Sequence, residues 1–306
     1  METRFLQPEG FQFKQFVTPD GVMHRYGFLT REDAKGNIVL LHGFTEFIEK
    51  FFETIRDLHA AGYNVYTFDW RGQGKSKRWF DDNLEQVYHD GFDKDAQNLH
   101  YFVSVIVPQN DLPTYALAHS MGGHIALKTL KLYPHLFKAA ALSAPMVQFR
   151  LPMPKFLAWG ILKIVRALKW QKKGFGGGSW RYKKPPIHKD PRSRDPVRRA
   201  VHYEWCEKDA ELRVGDVSFE WIYHALKSIV ETEKKGFLES IETPVFIGMA
   251  EGDQIVDNRA SRRAVMRLPN GVGHEFHDSQ HEIMMERDII RDEFLGKTLE
   301  FFEKNR

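Results

Sequence analysis

One serine of this sequence stands where a strand-like stretch meets a helix-like one. Ser120 lies within TYALAHSMGGHIALKTL, with the small residues Ala118 and Gly122 two positions away on either side. This spacing is typical of the nucleophile elbow, a sharp strand-to-helix turn that exposes a serine hydroxyl. The usual pattern has glycine where this chain has Ala118, and we expect the extra methyl group to be tolerated. The alternative is a serine that merely caps a helix.

A serine hydroxyl becomes a nucleophile only beside a general base that a third group orients. An elbow of this kind predicts those partners later in the chain, first an acid and then a histidine. Asp253 follows an apolar run in GMAEGDQIVDN, and His281 stands in DSQHEIMMERD before the last helical pattern. We therefore expect His281 to accept the Ser120 proton and Asp253 to fix the tautomer of the imidazole.

Four neighbouring residues could take the same two roles. Asp257 and Glu251 are alternative acids, less well placed at the turn that follows the strand. His274 and His277 are alternative bases, and both lie inside a predicted strand, GVGHEFHD. The order of the motifs favours Asp253 and His281 over all four.

The developing oxyanion of an acyl-transfer reaction needs backbone donors. His42 and Gly43 end an early apolar run in LLHGFTEF, so the N–H of Phe44 should join that of Met121 in an oxyanion hole. The helix that begins at Met121 would also aim its N-terminal N–H groups at the oxyanion. The alternative is an ordinary turn at the end of a strand.

Other motifs fail to predict a cofactor or a metal. RGQGKS has Asp69 where a phosphate loop would have its first glycine, and GFGGG follows a basic helical stretch rather than a strand. HEIMM at His281 lacks the second histidine of a zinc site, and His277 with His281 makes no complete ligand set. His124 is expected to be structural. We therefore expect no cofactor and no metal ion.

The candidate residues follow short apolar runs that alternate with helical patterns. The runs are NIVLLHG (37–43), YNVYTFDW (63–70), PTYALAHS (113–120), KAAALSAP (138–145) and PVFIGMAEGD (244–253). The helical patterns cover 46–61, 90–107 and 121–133. This alternation predicts an α/β fold, a mostly parallel central sheet flanked by helices, with an active site where the strands end.

The alternation stops after Pro145 and resumes at Pro244. We predict a core of residues 1–145 and 236–306, and a helical insertion of residues 146–235 that lies over the strand ends and is called the cap segment below. Residues 146–200 carry 15 lysines and arginines against two aspartates, a net charge of +13 in a chain whose total is +3. The cap segment is therefore predicted to be basic.

Residues 156–174 of the cap segment predict a basic amphipathic helix. Lys163, Arg166, Lys169 and Lys173 recur at three or four residues along one stripe. Such a helix could contact an anionic membrane peripherally, or it could pack its apolar face over the active site with the basic edge in solvent. Without a recognised binding motif, the charge does not predict a nucleic-acid partner.

Composition and the N-terminal sequence indicate the class of protein and the compartment that we expect. The 306 residues are 42% hydrophobic and 28% charged, and we find neither an apolar run long enough to span a bilayer nor a signal sequence in METRFLQPEG. The single cysteine, Cys206, excludes an internal disulfide framework. We therefore expect a cytoplasmic protein. The oligomeric state is left open.

Five motifs together resemble one family. LHGFTE, FDWRGQGKS, AHSMGG, EGDQIVDN and QHEIMMERD are similar to those of the serine α/β-hydrolases of the monoacylglycerol lipase and bacterial lysophospholipase group. The resemblance implies an α/β-hydrolase fold with a cap, a triad at Ser120, Asp253 and His281, and an oxyanion hole at Phe44 and Met121. His42, Gly43, Glu46, Gly122 and the stretch 69–74 would then support the site.

The resemblance implies a small lipid ester as substrate. The expected activity is hydrolysis of lysophospholipids or monoacylglycerols through an acyl-serine intermediate, and the cap sequence AELRVGDVSFEWI is closer to the bacterial lysophospholipases. Two alternatives stay open. One is an aminopeptidase of the same fold, similar to the proline iminopeptidases, and the other is a catalytically inert protein that binds a membrane surface or a partner.

Overall fold

The core of the protein is an eight-stranded β-sheet, seen in a computed structural model that describes residues 1–169, 178–180 and 191–306. The strands are β1 (Gln12–Val17), β2 (Met23–Leu29), β3 (Asn37–Leu41), β4 (Asn64–Phe68), β5 (Thr114–His119), β6 (Ala139–Ser143), β7 (Val245–Ala250) and β8 (Gly271–Phe276). Their order is β1-β2-β4-β3-β5-β6-β7-β8. From β4 to β8 all pairs are parallel, which confirms the predicted fold class.

The strands differ in burial according to their place in the sheet. All residues of β3, β4, β6 and β7 are buried, because helices cover both faces of a parallel sheet. β1 and β2 form an antiparallel edge, and in β1 only Phe16 is buried. The five apolar runs of the sequence correspond to β3 to β7. The edge hairpin was not predicted, because its sparse apolar residues give no clear pattern.

Eight helices of the described residues surround the sheet or belong to the cap segment. They are α1 (Phe52–Ala60), α2 (Phe92–Tyr101), α3 (Met121–Leu132), α4 (Lys155–Ala167), α5 (Pro196–Lys208), α6 (Phe219–Glu233), α7 (Asn258–Arg267) and α8 (Asp288–Lys304). Two predicted helices are shorter than expected. The first begins with a 3-10 turn, Ile48–Phe51, and the second ends in a π-helical turn, Phe102–Ile106.

The cap segment packs against the core at several points. Its described residues contain three α-helices, α4 to α6, and an isolated bridge between Phe149 and Val256. The Trp221 ring of α6 lies 4.4 Å from that of Phe44, and His124 Nε2 lies 2.7 Å from the Ser228 hydroxyl. The predicted helix 156–174 is α4 at its start. Its end from residue 170, with Lys173, lies outside the described residues, as does most of the GFGGG run.

Candidate active site

The turn between β5 and α3 holds Ser120 in a strained backbone conformation. The φ and ψ angles of Ser120 are 49° and −114°, a region that non-glycine residues rarely adopt. Gly122 makes the turn sterically feasible, because a Cβ atom there would lie 2.7 Å from the carbonyl oxygens of Leu41 and His42. The methyl group of Ala118 is fully buried in the sheet. This is the strand-to-helix corner that the sequence predicts.

Backbone hydrogen bonds fix this corner to its neighbours. The Ser120 N–H donates to the Ser143 carbonyl at 3.0 Å, and the Met146 N–H donates to the Ser120 carbonyl at 2.9 Å. The second bond joins the corner to the start of the cap segment. The strain at Ser120 therefore persists because the surrounding backbone determines it from both sides.

Three side chains from separate parts of the chain meet at the corner. His281 Nε2 lies 2.9 Å from Ser120 Oγ, and His281 Nδ1 lies 2.7 Å from Asp253 Oδ2. The other carboxylate oxygen of Asp253 accepts the N–H groups of Ile255 and Val256 at 2.8 and 2.9 Å. The arrangement has the connectivity of a nucleophile, a general base and an orienting acid.

The charges of the buried pair support a base poised to take a proton. Burial alone would raise the pKa of Asp253, but the His281 imidazole and two backbone N–H groups outweigh it and the pKa is lowered. Burial alone would lower the pKa of His281, but the charge and hydrogen bond of Asp253 outweigh it and the pKa is raised. A carboxylate that stays ionised beside a more basic imidazole suits general base catalysis.

The four alternative residues lie elsewhere. Asp257 caps α7 by accepting the Arg259 N–H, and Glu251 accepts the N–H of Asp278 at the surface. His274 pairs with an exposed glutamate of α8, and His277 is 83% exposed. None of these four hydrogen bonds to Ser120 or His281 within the described residues.

The predicted oxyanion donors lie after the ends of two adjacent parallel strands, Phe44 after β3 and Met121 after β5. Within the described ranges, the backbone N–H groups of Phe44 and Met121 have no hydrogen-bond acceptor. The neighbouring N–H of Gly43 is already used, since it donates to Glu46 Oε2 at 2.5 Å, and that of Thr45 donates to Gln73 Oε1 at 3.0 Å. Phe44 therefore presents the free donor of this loop.

A buried ion-pair cluster links the loop of Phe44 to the loop of His281. The Lys50 ammonium lies 2.7 Å from Glu46 Oε1 and 2.8 Å from Glu282 Oε1. Burial alone would raise the pKa of Glu46, but Lys50 and His119 outweigh it and hold the pKa at about 2. The sequence reasoning proposed Glu46 as a supporting residue. It missed Lys50 and Glu282, whose pairing no local pattern indicates.

A second buried cluster holds the same loop from the other side. Asp69 accepts hydrogen bonds from the Ile48 and Lys75 N–H groups and from the Arg25 guanidinium, and its carboxylate lies 3.3 Å from His42 Nε2. The Gln73 side chain donates to the Gly43 carbonyl at 2.9 Å. The stretch 69–74, which the family resemblance implies to be a support of the site, therefore holds the loop that carries Phe44.

Two other buried histidines near the site, His119 and His124, are neutral at pH 7. His119 lies beside His281, with 4.8 Å between the ring centroids, and burial lowers its pKa to about 4. His124 is fully buried between α3 and α6, and burial lowers its pKa to about 3. Neither imidazole touches the Ser120 hydroxyl. His124 thus has the packing environment of a structural residue.

A cavity of about 620 Å³ opens above Ser120 and His281. Its walls are mainly apolar and come largely from the cap segment, with Phe149, Leu151, Met153, Leu162 and Trp221 among them. Among the described residues, the charged side chains of its lining are Glu46, Glu282, Arg150 and Arg192. A cavity of this size and polarity suits a small amphipathic ligand.

The described ranges contain no group of three or more His, Cys, Asp or Glu side chains arranged to hold a metal ion. Within the same residues, every helix is too short or too polar to cross a bilayer. Cys206 is buried, and burial raises the pKa of its thiol to about 12, so it is not activated as a nucleophile.

Comparisons with known proteins agree with this geometry. The family model Hydrolase_4, described as "Serine aminopeptidase, S33", matches residues 32–288. Lysophospholipase L2 of Escherichia coli K12 is 30% identical over 304 residues, which cover 95% of this chain and 87% of that protein. Monoacylglycerol lipase of Mycolicibacterium smegmatis is 35% identical over 138 residues, 43% of this chain and 46% of that one.

The fold is also similar to that of a solved enzyme. A soluble variant of monoglyceride lipase from Saccharomyces cerevisiae, solved in complex with a substrate analog, has a TM-score of 0.73 to this chain. The likeness covers 100% of this chain and 99% of that one at 20% sequence identity. At that identity it speaks to the fold alone.

Proposed function

The chain belongs to the Hydrolase_4 family of serine α/β-hydrolases, and from this premise we propose that it is a carboxylic-ester hydrolase that cleaves lysophospholipids or monoacylglycerols through an acyl-Ser120 intermediate. The resemblance seen in the five sequence motifs is thereby confirmed. Two relatives support the substrate class, since one is named a lysophospholipase and the other a monoacylglycerol lipase.

One observation carries the proposal. The hydrogen-bonded chain of Ser120, His281 and Asp253 opens into a mainly apolar cavity that can hold an acyl chain. The chain of hydrogen bonds supplies a nucleophile, and the cavity supplies a site for a lipid next to it. Together they fit ester hydrolysis better than a binding function, which would need neither the strained corner nor the oriented base.

In the first half of the proposed reaction, Ser120 Oγ attacks the ester carbonyl carbon while His281 Nε2 takes the hydroxyl proton. The N–H groups of Phe44 and Met121 donate to the oxyanion of the tetrahedral intermediate. Asp253 stabilises the imidazolium that forms. As the carbon–oxygen bond breaks, His281 returns the proton to the glycerol oxygen, and the acyl group stays on Ser120.

In the second half, water replaces the alcohol. His281 takes a proton from a water molecule, whose oxygen attacks the acyl carbon of the Ser120 ester. The second tetrahedral intermediate uses the same two backbone donors. When it collapses, His281 gives the proton to Ser120 Oγ, and the fatty acid leaves.

The family description makes aminopeptidase activity the main alternative. An aminopeptidase needs a carboxylate free to bind the ammonium group of its substrate. In the part of the lining that the structure describes, the two carboxylates are Glu46 and Glu282, and both are paired with Lys50. The other charged groups of the lining are arginines, which repel an ammonium group. The electrostatics therefore favour an ester substrate.

The exposed face of α4 supports a peripheral contact with a lipid surface. Leu157, Ile161 and Ile164 lie along one side of this helix and are 42 to 61% exposed. Phe156 in its first turn is 72% exposed, and Leu168 just after its end is 50% exposed. Ile161 also lines the cavity, so the stripe leads to its opening. An exposed apolar stripe on a helix suits contact with a lipid surface. The proposal therefore includes a step before hydrolysis, called the surface step below, in which this face of α4 contacts the lipid surface.

The test is a pair of serine variants assayed on three substrates. Ser120→Ala should lose at least about 10⁴-fold in kcat on lysophosphatidylcholine and on monoolein, and should no longer react with a fluorophosphonate probe. Ser240→Ala, which changes an exposed serine on the core, is the matched control and should keep full activity. Cleavage of an aminoacyl naphthylamide faster than either lipid would favour the aminopeptidase. Wild-type turnover by Ser120→Ala would overturn the proposal.

A further inference from the structure

The loop that carries the proposed base contains a buried carboxylate of its own. The Glu286 side chain is fully buried, and its Oε1 atom accepts the Gln280 N–H at 2.9 Å. Gln280 directly precedes His281 in the chain, so this bond closes the turn in which the imidazole stands. The side chain of Glu286 therefore restrains the backbone of the base.

This carboxylate is buried without a close cation among the described residues. Burial raises the pKa of the Glu286 carboxyl, more than its backbone hydrogen bonds and the Arg287 charge lower it. Its one ion pair in the described ranges is long, with 4.0 Å between Oε2 and Arg287 Nε. Its shortest hydrogen bonds come from backbone N–H groups, those of Gln280 and Arg194, at 2.9 Å each. A buried charge has to be satisfied in this way, and it fixes the N–H groups that satisfy it.

The second of these N–H groups belongs to the cap segment. Arg194 lies in residues 191–195, which directly precede α5 and are called the cap strap below. The same oxygen, Oε1 of Glu286, accepts the N–H groups of Arg194 and Gln280. The carboxylate therefore joins the loop of the base to the cap strap.

Further hydrogen bonds join the cap strap to the same loop. They run from the His281 N–H to the Pro191 carbonyl at 3.3 Å, from the Glu282 N–H to the Arg192 carbonyl at 2.7 Å, and from the Ser193 hydroxyl to the Met285 carbonyl at 2.6 Å. Ser193 is fully buried, and just beyond the strap the Arg198 guanidinium donates to the Glu286 carbonyl at 2.8 Å. The backbone of Glu286 is thus anchored as well as its side chain.

We propose that Glu286 is a positioning residue for His281, and that it holds the base by fastening the loop of the base to the cap strap. The inference rests on the proposed function, since it assigns a support to the base of that reaction. Glu286 is absent from the described lining of the cavity, so it acts through the backbone of Gln280 and not on the substrate. The cap segment then helps to place the base, besides lining the cavity.

The base needs this support because its side-chain bonds do not fix its backbone. His281 has one bond on each ring nitrogen, 2.7 Å to Asp253 and 2.9 Å to Ser120. A loop that relaxes at Gln280 carries the imidazole with it and lengthens the bond to the Ser120 hydroxyl. A displacement of about 1 Å in an active site can lower a rate about 100-fold.

The experiment removes the carboxylate in steps. Glu286→Gln keeps an acceptor oxygen at the same reach, Glu286→Asp keeps the charge on a shorter side chain, and Glu286→Ala removes both. Ser193→Ala removes a bond from the side of the cap strap. The readouts are kcat and KM on p-nitrophenyl butyrate, a monomeric ester, per active site. Fluorophosphonate labelling taken to completion counts the active sites, and urea denaturation gives the free energy of unfolding.

Asn64→Ala is the matched control. Asn64 is also a buried side chain that binds backbone, since it accepts the Arg31 N–H at 2.9 Å. It is the first residue of β4, at the end of the sheet opposite to Ser120. Its loss should lower the free energy of unfolding and leave kcat per active site unchanged.

We expect Glu286→Ala to lose about 100-fold in kcat per active site, with KM within about threefold of the wild-type value. Glu286→Gln should keep kcat within about threefold, because its oxygen still accepts both N–H groups. Glu286→Asp and Ser193→Ala should each lose about tenfold, because each weakens one part of the support.

Three outcomes would overturn the positioning role. They are a wild-type kcat in Glu286→Ala, an equally large loss of kcat in Asn64→Ala, and a Gln variant as inactive as the Ala variant. If Glu286→Ala does not fold, Glu286→Asp decides in its place, and its wild-type kcat would count against the role. A wild-type kcat in Ser193→Ala would overturn the part assigned to the cap strap. A wild-type enzyme that does not hydrolyse the ester would instead overturn the proposed function itself.

Discussion

The loops below the cavity and the helix above it are built on opposite principles. Around Ser120, charged groups are buried and paired, as Lys50 is with Glu46 and Glu282. On α4, by contrast, apolar groups are exposed, with Phe156 at 72% and Ile164 at 61%. Each region departs from the ordinary distribution of residues, which places charges outside and apolar groups inside.

The difference in burial between the two regions matches two separate requirements, fixed geometry for the reaction and an accessible apolar surface for the substrate. A buried and fully paired polar network is rigid, and the reaction needs donors and a base held in fixed positions. The exposed apolar stripe of α4 has no fixed partner among the described residues, and it is suited to reversible contact with a lipid. In the proposed function, the core loops carry the chemistry, and the exposed stripe of α4 carries the contact with the lipid.

Asp253→Asn is the most severe test of the buried and paired loops around Ser120, called the rigid half below. An asparagine would donate to His281 Nδ1 and favour the wrong tautomer, so kcat should fall about 10⁴-fold while the fold is kept. Steady-state kinetics on a monomeric ester measures the loss. The matched control is Asp257→Asn, since asparagine can still cap α7 and the activity should change less than about twofold. Comparable inactivation by both changes would show that the acid has been misassigned.

Lys50→Met compares a buried ion pair with an exposed one. It leaves Glu46 and Glu282 facing each other without a cation, which should cost about 3 to 5 kcal/mol of unfolding free energy and lower kcat/KM as the two loops separate. Lys155→Met, which breaks an exposed pair with Glu233 on the cap segment, should cost less than about 1 kcal/mol. Urea denaturation of both variants gives the two values. Equal costs would remove the distinction between the regions.

The pH profile tests the electrostatics of the rigid half. His281 must be neutral to act as a base, and Asp253 raises its pKa above the ordinary value of 6.5, so activity should be lost as pH falls through a midpoint above 6.5. Below the midpoint, kcat/KM should fall about tenfold per pH unit. The groups that face this imidazole are Asp253, Glu282, Glu46 and His119.

His119→Gln identifies the group that titrates. The pKa of His119 is held at about 4, chiefly by burial, so it stays neutral throughout the acid limb. Its replacement should therefore leave the midpoint within about half a pH unit. The assignment of His281 as the base would be contradicted by a midpoint below 6.5 in the wild-type enzyme. It would also be contradicted by a midpoint that shifts by more than about half a pH unit in His119→Gln.

The two regions also differed in how far the sequence predicted them. The strands β3 to β7 are buried on both faces, so they appear in the sequence as continuous apolar runs. The residues that follow these runs could therefore be predicted to lie at the ends of the strands. The hydrogen bonds of His281 followed from the order of the motifs. The pairing of Lys50 with Glu282 could not be predicted, because contact between distant residues depends on how two loops pack. The cap segment lacks the alternation of strands and helices that located the core elements, so only its helical character could be predicted from the sequence.

The smallest effect is expected from the exposed half, and it depends on how the substrate is presented. Phe156→Ser or Ile164→Ser removes apolar surface that nothing in the described chain covers, so activity on a monomeric ester should stay within about twofold. On substrate carried in anionic vesicles, a loss of about 1 kcal/mol of apolar contact should lower the rate about fivefold. Ile289→Ser, at an equally exposed position on α8, is the matched control and should change neither assay. If all three variants lose the same fraction of activity on vesicles, the surface step cannot be assigned to α4. If only the α4 variants respond, the rigid loops and the exposed helix serve separate steps of one reaction, because the change then affects arrival of the lipid and leaves its hydrolysis intact.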